Sequence, residues 1–137
     1  MLLTGFNHVA VLTNDTARFT EFYEGVFEAT SEVIEQQPGF QLTIVWIGSQ
    51  ASFNVFQMDG NTESERQVPM FGRGRLDHLA VEAASLEAFE EIRSRLIARG
   101  STDGFVTDFG PDLSLFFRDP DGLEAEVCVV NPDGKPG

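Results

Sequence analysis

The chain has 137 residues, enough for one well-buried core and too few for two independent ones. Its 42% hydrophobic content, with 13 phenylalanines, excludes a disordered chain, and the longest apolar runs are too short for a membrane span or a signal-peptide core. The 22 acidic residues against 9 basic ones give a net charge of −13, which disfavours nucleic acid as a partner and suits metal ions or cationic small molecules. The lone cysteine, Cys128, rules out an internal disulfide, fits a reducing cytoplasm and reads as a small buried hydrophobe in an apolar strand.

In chain order, residues 5 to 12 are apolar and rich in β-branched and aromatic types, which predicts a strand. Between Asp15 and Phe27 the apolar residues Phe19, Phe22, Tyr23, Val26 and Phe27 mark one face of a helix. Glu28 to Gln37 is polar, with a short strand expected around Glu32 to Ile34, and Pro38-Gly39 is a turn. Phe40 to Ile47 and Ala51 to Met58 are strands joined by the turn Gly48-Ser49-Gln50. Residues 59 to 75 have no periodicity and many breakers, and read as a linker. Leu76 to Glu82 is a strand, and Ser85 to Arg99 a helix with an apolar stripe of Leu86, Phe89, Ile92, Leu96 and Ile97 that stops at Gly100. Leu113 to Phe117 and Glu124 to Val130 form a hairpin around Asp119-Pro120-Asp121-Gly122, and the turn-rich tail 131–137 reads as loose.

The two halves repeat. Asn7-His8-Val9-Ala10-Val11 returns 70 residues later as Asp77-His78-Leu79-Ala80-Val81, and the same offset pairs Phe19 with Phe89, Val26 with Leu96, and the helix caps Asp15 and Ser85. The only two histidines thus occupy equivalent positions. The expected organisation is one domain of two modules, 1–58 and 76–130, joined by the linker 59–75 and followed by the tail.

Alternation along the strands then sorts the faces. Val9, Val11, Leu79 and Val81 would point to the covering helices, and His8 and His78 to the opposite face. In the last strand Ala125, Val127 and Val129 form the apolar set, leaving Glu124, Glu126 and Cys128 on the other side. A glutamate inside an apolar strand is costly to bury unless it is paired or bound to a metal. Two neutral imidazoles and one carboxylate are the ligands a divalent transition metal takes when it keeps open positions.

With these motifs, and with Phe117-Arg118-Asp119-Pro120-Asp121-Gly122-Leu123-Glu124-Ala125-Glu126, the chain resembles the vicinal oxygen chelate superfamily of glyoxalases, bleomycin-resistance proteins and extradiol dioxygenases. The resemblance implies an α+β fold of two tandem βαβββ modules whose curved mixed sheets surround a central cavity. It implies His8, His78 and Glu126 as ligands of a divalent metal (Fe, Mn, Zn, Ni or Co), and a homodimer. Aligning Phe53-Asn54-Val55-Phe56 with Ala125-Glu126-Val127-Cys128 puts Asn54 where the family takes a further ligand; a neutral amide would be a weak fourth ligand or only line the pocket.

The resemblance implies a metal-dependent enzyme that chelates a small substrate through vicinal oxygens, by dioxygenase- or lyase/isomerase-type chemistry. The alternative is a non-catalytic protein that sequesters a cationic drug, as bleomycin-resistance proteins do. Several departures leave the reaction and its catalytic residue unassigned. The chain has no third histidine, it carries Phe116 where ring-cleaving relatives tend to have tyrosine, and residues 106 to 112 hold no basic group for a phosphonate. Asn54 cannot serve as a base, and Phe40 to Ile47 supplies no acid.

Overall fold

A computed structural model describes residues 1–134. Its contacts divide the chain into two compact units, Met1–Arg66 and Gln67–Gly137. The first carries β1 (His8–Leu12), α1 (Thr16–Phe27), β2 (Thr30–Gln37), β3 (Phe40–Ile47) and β4 (Ala51–Met58). The second carries β5 (Leu79–Glu82), α2 (Leu86–Ala98), β6 (Val106–Asp108), β7 (Asp112–Arg118) and β8 (Glu124–Val130). Each unit is therefore a βαβββ module. Each forms one four-stranded mixed sheet, in the orders β1-β4-β3-β2 and β5-β8-β7-β6, with the first strand parallel to the last. Among the described residues no helix is long and apolar enough to cross a membrane.

In the first module Asp15 caps α1 by accepting from the Arg18 amide. Phe19, Phe22, Tyr23 and Val26 are buried together with Val45, Phe53 and Val55. Tyr23 lies 4.5 Å from Phe19 and 4.9 Å from Phe53 between ring centroids, so the helix is fixed to the sheet largely by aromatic contact. Strand β2 runs well beyond the expected Glu32 to Ile34. It is an exposed edge strand throughout, held by its pairing with β3 rather than by burial, so its Glu and Gln side chains hide the strand signal.

In the second module Ser85 accepts from the Ala88 amide and starts α2. Phe89 and Leu96 are fully buried, but Leu86 and Ile97 remain 41% and 48% exposed, so the buried stripe is narrower than the sequence predicts. The strand expected from Leu76 begins only at Leu79. The short β6 was not expected, since its neighbours Gly104, Gly110 and Pro111 read as loop; its three residues are held by antiparallel pairing with β7. Of the tail 131–137, residues 135–137 lie outside the described residues.

The Asp-Pro-Asp-Gly turn joins β7 to β8 and sets the phase of β8. Asp119 is 5% exposed, and its Oδ1 accepts from the amides of Asp121 and Leu123, both at 2.9 Å. Gly122 has φ 84°, a conformation costly for a residue with a Cβ. Replacing Asp119 by alanine leaves two turn amides without their acceptor. Asp119→Ala should lower unfolding free energy by about 1–3 kcal/mol in a urea titration; a loss under about 0.5 kcal/mol, the range of ordinary surface changes, would deny the turn this role.

Candidate metal centre

The pairing of β5 with β8 puts Ala80 opposite Glu126 and Val81 opposite Val127. Val127 is fully buried on the helix side, so Glu126 faces the other way. His78, two residues before Ala80, takes the same open face as Glu126. Its Nε2 lies 2.9 Å from Glu126 Oε2. The other oxygen, Glu126 Oε1, accepts from the Ser114 hydroxyl at 2.7 Å. Phe116, directly opposite Glu126 in the β7–β8 register, lies 5.6 Å from the His78 ring between centroids.

Behind His78 stands a second carboxylate. His78 Nδ1 is 2.6 Å from Asp77 Oδ2, and Asp77 Oδ1 accepts from the backbone N–H of Phe71. The Arg73 guanidinium lies 3.8 Å from Asp77 Oδ2 and donates to the Asp77 carbonyl at 3.3 Å and to Glu124 Oε2 at 3.2 Å. Asp77 and Arg73 were not singled out by sequence reasoning. The signal was the residue before each histidine, an Asx in both repeats.

The first module repeats part of this pattern. His8 Nδ1 lies 2.7 Å from Asn7 Oδ1, on the exposed side of β1. The β1–β4 register puts Ala10 opposite Asn54, as Ala80 stands opposite Glu126. Asn54 is thus the structural equivalent of Glu126, and its Oδ1 lies 3.4 Å from the Ser52 hydroxyl. His8 and Asn54 belong to one module, His78 and Glu126 to the other. Among the described residues no group of three or more His, Cys, Asp or Glu is arranged so that it could hold a metal ion.

The second module brings together two donors of the kinds a divalent ion takes, His78 Nε2 and Glu126 Oε2. Two ligand atoms about 2.1 Å from one ion and at right angles to each other are about 3.0 Å apart. The observed spacing of His78 Nε2 and Glu126 Oε2 is 2.9 Å. An outer carboxylate on the far ring nitrogen is the usual support of a metal-binding imidazole. Cys128 is half-buried on the Glu126 face rather than in the core, and burial pushes its thiol pKa up, which disfavours the thiolate a soft ligand would need. Trp46 is 42% exposed and is not core.

The sequence from residue 5 to 127 matches the family model of the Glyoxalase/Bleomycin resistance protein/Dioxygenase superfamily. The chain belongs to this superfamily. No curated protein matches it significantly. Among solved structures it is similar to a glyoxylase/bleomycin resistance protein/dioxygenase domain from Frankia sp. EAN1pec, with 20% identity, a TM-score of 0.77, and 95% and 94% of the two chains covered. It is also similar to the fosfomycin resistance protein FosX of Listeria monocytogenes (18% identity, TM-score 0.66, 98% and 97% covered). A lactoylglutathione lyase from Agrobacterium tumefaciens is similar as well (22% identity, TM-score 0.64, 94% and 96% covered). At these identities the likeness confirms the glyoxalase-like fold.

Without metal, the Asp77 hydrogen bond, aided by Glu126, raises the His78 pKa above its usual 6.5. The same contact, with the Phe71 amide, lowers that of Asp77. The charged pairing therefore stabilises the metal-free fold fully between about pH 4 and 6.5; its contribution is lost as pH rises through the raised His78 value and as pH falls through the lowered Asp77 value. An NMR titration of the metal-free protein should place His78 above 6.5 and show it falling in Asp77→Asn, more than in Glu126→Gln. A wild-type value at or below 6.5 would contradict the pairing.

Proposed function

We propose that this protein is a divalent-metal-dependent enzyme of the superfamily, with His8, His78 and Glu126 as ligands of an Fe, Mn, Zn, Ni or Co ion. Its substrate is a small molecule that presents two vicinal oxygens, and the chemistry is of the dioxygenase or lyase/isomerase type, in the reducing cytoplasm to which a chain with one cysteine is suited. The observation that carries this reading is the close approach of His78 Nε2 to Glu126 Oε2, backed by Asp77 on the far side of the ring.

When bound, the ion supplies Lewis acidity to oxygens of the substrate. The remaining work falls to the protein. Asp77 and Arg73 hold the His78 ring, and Ser114 donates to Glu126 Oε1, leaving Oε2 for ligation. Phe116 supplies an apolar wall beside His78. Asn54, at the position equivalent to Glu126, brings neither a second negative charge nor a base; it lines the pocket or adds a weak fourth ligand. One carboxylate and two neutral imidazoles leave a divalent ion with net positive charge, which favours an anionic or easily deprotonated oxygen ligand.

Calorimetry separates this reading from drug sequestration, which the net charge of −13 alone would also suit. Catechol or a 2-oxo acid should bind the metal-loaded protein at least about tenfold more tightly than the metal-free protein, a difference of about 1.4 kcal/mol. Equal binding in both forms, or tight binding of bleomycin by metal-free protein, would overturn it.

A further inference from the structure

Each histidine follows an Asx residue whose side-chain oxygen lies against its Nδ1, at 2.7 Å for Asn7 and His8 and 2.6 Å for Asp77 and His78. We infer that Asn7 and Asp77 are paired positioning residues, which hold both imidazoles in the Nδ1–H tautomer so that each ring presents an Nε2 lone pair on the open face of its sheet.

At His78 the acceptor is the carboxylate of Asp77. An ionised carboxylate only accepts hydrogen bonds, so the proton in that contact belongs to the ring nitrogen. Asp77 is itself held, by the Phe71 amide on one oxygen and the Arg73 guanidinium beside the other. Phe71 adopts a left-handed φ of 70°, a strained conformation for a bulky residue, and its N–H points to Asp77. Asp77 Oδ2 is also closer to its ring nitrogen than Glu126 Oε2 is to the other, 2.6 against 2.9 Å. Each ring nitrogen faces a carboxylate, so the single proton of the neutral ring has two acceptors; the shorter contact, with the Asp77 oxygen, takes it and Nε2 is left with its lone pair.

Asn7 stands at the equivalent repeat position but offers a neutral amide oxygen. A neutral acceptor orients the ring with a hydrogen bond about half as strong as a charged one. The two modules thus share one device at two strengths, and the His78 side is the more firmly set. The consequence for ligation rests on the metal-centre reading, while the tautomer itself does not depend on it.

The test is two-bond 1H–15N correlation of the histidine rings in the full-length, metal-free protein, at a pH where both rings are neutral. Both should show protonated Nδ1 and unprotonated Nε2. Asn7→Ala and Asp77→Ala should each move their own neighbour toward the Nε2–H form, whereas Asn7→Asp and Asp77→Asn, which keep an acceptor, should not. A wild-type Nε2–H form at either ring, or alanine variants with unchanged tautomers, would overturn the inference. Zn(II) titration of the same samples supplies the second readout. Each alanine variant should bind about 10- to 100-fold more weakly and each conservative variant close to wild type. Wild-type protein that showed the expected tautomers but bound no divalent ion would contradict the metal-centre reading and leave the positioning role standing.

Discussion

The parallel pairing of β5 with β8 is the constraint on which the candidate centre depends. Parallel strands in register carry equivalent side chains on a common face, so Ala80 opposite Glu126 decides that His78 and Glu126 emerge together. The opposite faces of the same strands are fixed by burial of Ala125, Val127 and Val129 with Leu115, Phe89 and Leu96. A one-residue slip of β8 would bury Glu126 and expose Val127, at a cost the core cannot meet. The Asp119 turn protects that register from the β7 side, since β7 and β8 meet at Arg118 and Glu124 immediately beyond it.

The same architecture, used twice, gives two unequal sites. Both modules carry an Asx-His pair ahead of a first-strand alanine, and both place a last-strand polar residue opposite that alanine. In one module the residue is Glu126 and in the other Asn54. The Asx differs in the complementary sense, Asp77 where the partner is charged and Asn7 where it is neutral. The carboxylates beside a histidine are therefore those of the second module, where Arg73 ties Asp77 to Glu124. In the first module the histidine meets the neutral amide of Asn7. At the equivalent last-strand position the first module therefore brings neither a negative charge nor a base.

Much of this was legible in the sequence, for definite reasons. The strand period and the offset of 70 residues located the two modules, the helices with their caps, and the face shared by His78 and Glu126. Edge strands were less legible. Strand β2 is polar on both faces, and β6 is three residues long between breakers, so neither carries a burial pattern to read. Leu86 and Ile97 fit the helical period yet stay exposed, because the period marks a face and not how much of it is covered. Asp77, Arg73 and Ser114 escaped because hydrogen bonds between an imidazole, a carboxylate and their supports follow from rotamers and cross-strand register, which no local spacing encodes.

The central claim is that His78 and Glu126 hold a divalent ion, with His8 completing the set. Equilibrium dialysis of metal-free protein against Mn(II) or Zn(II), read by elemental analysis, tests it most directly. The prediction is a saturating stoichiometry in the wild type that is lost in His8→Ala, His78→Ala and Glu126→Ala alike, while each variant still unfolds cooperatively in urea. A wild type that takes up no ion, or an unchanged stoichiometry and affinity in Glu126→Ala, would contradict it.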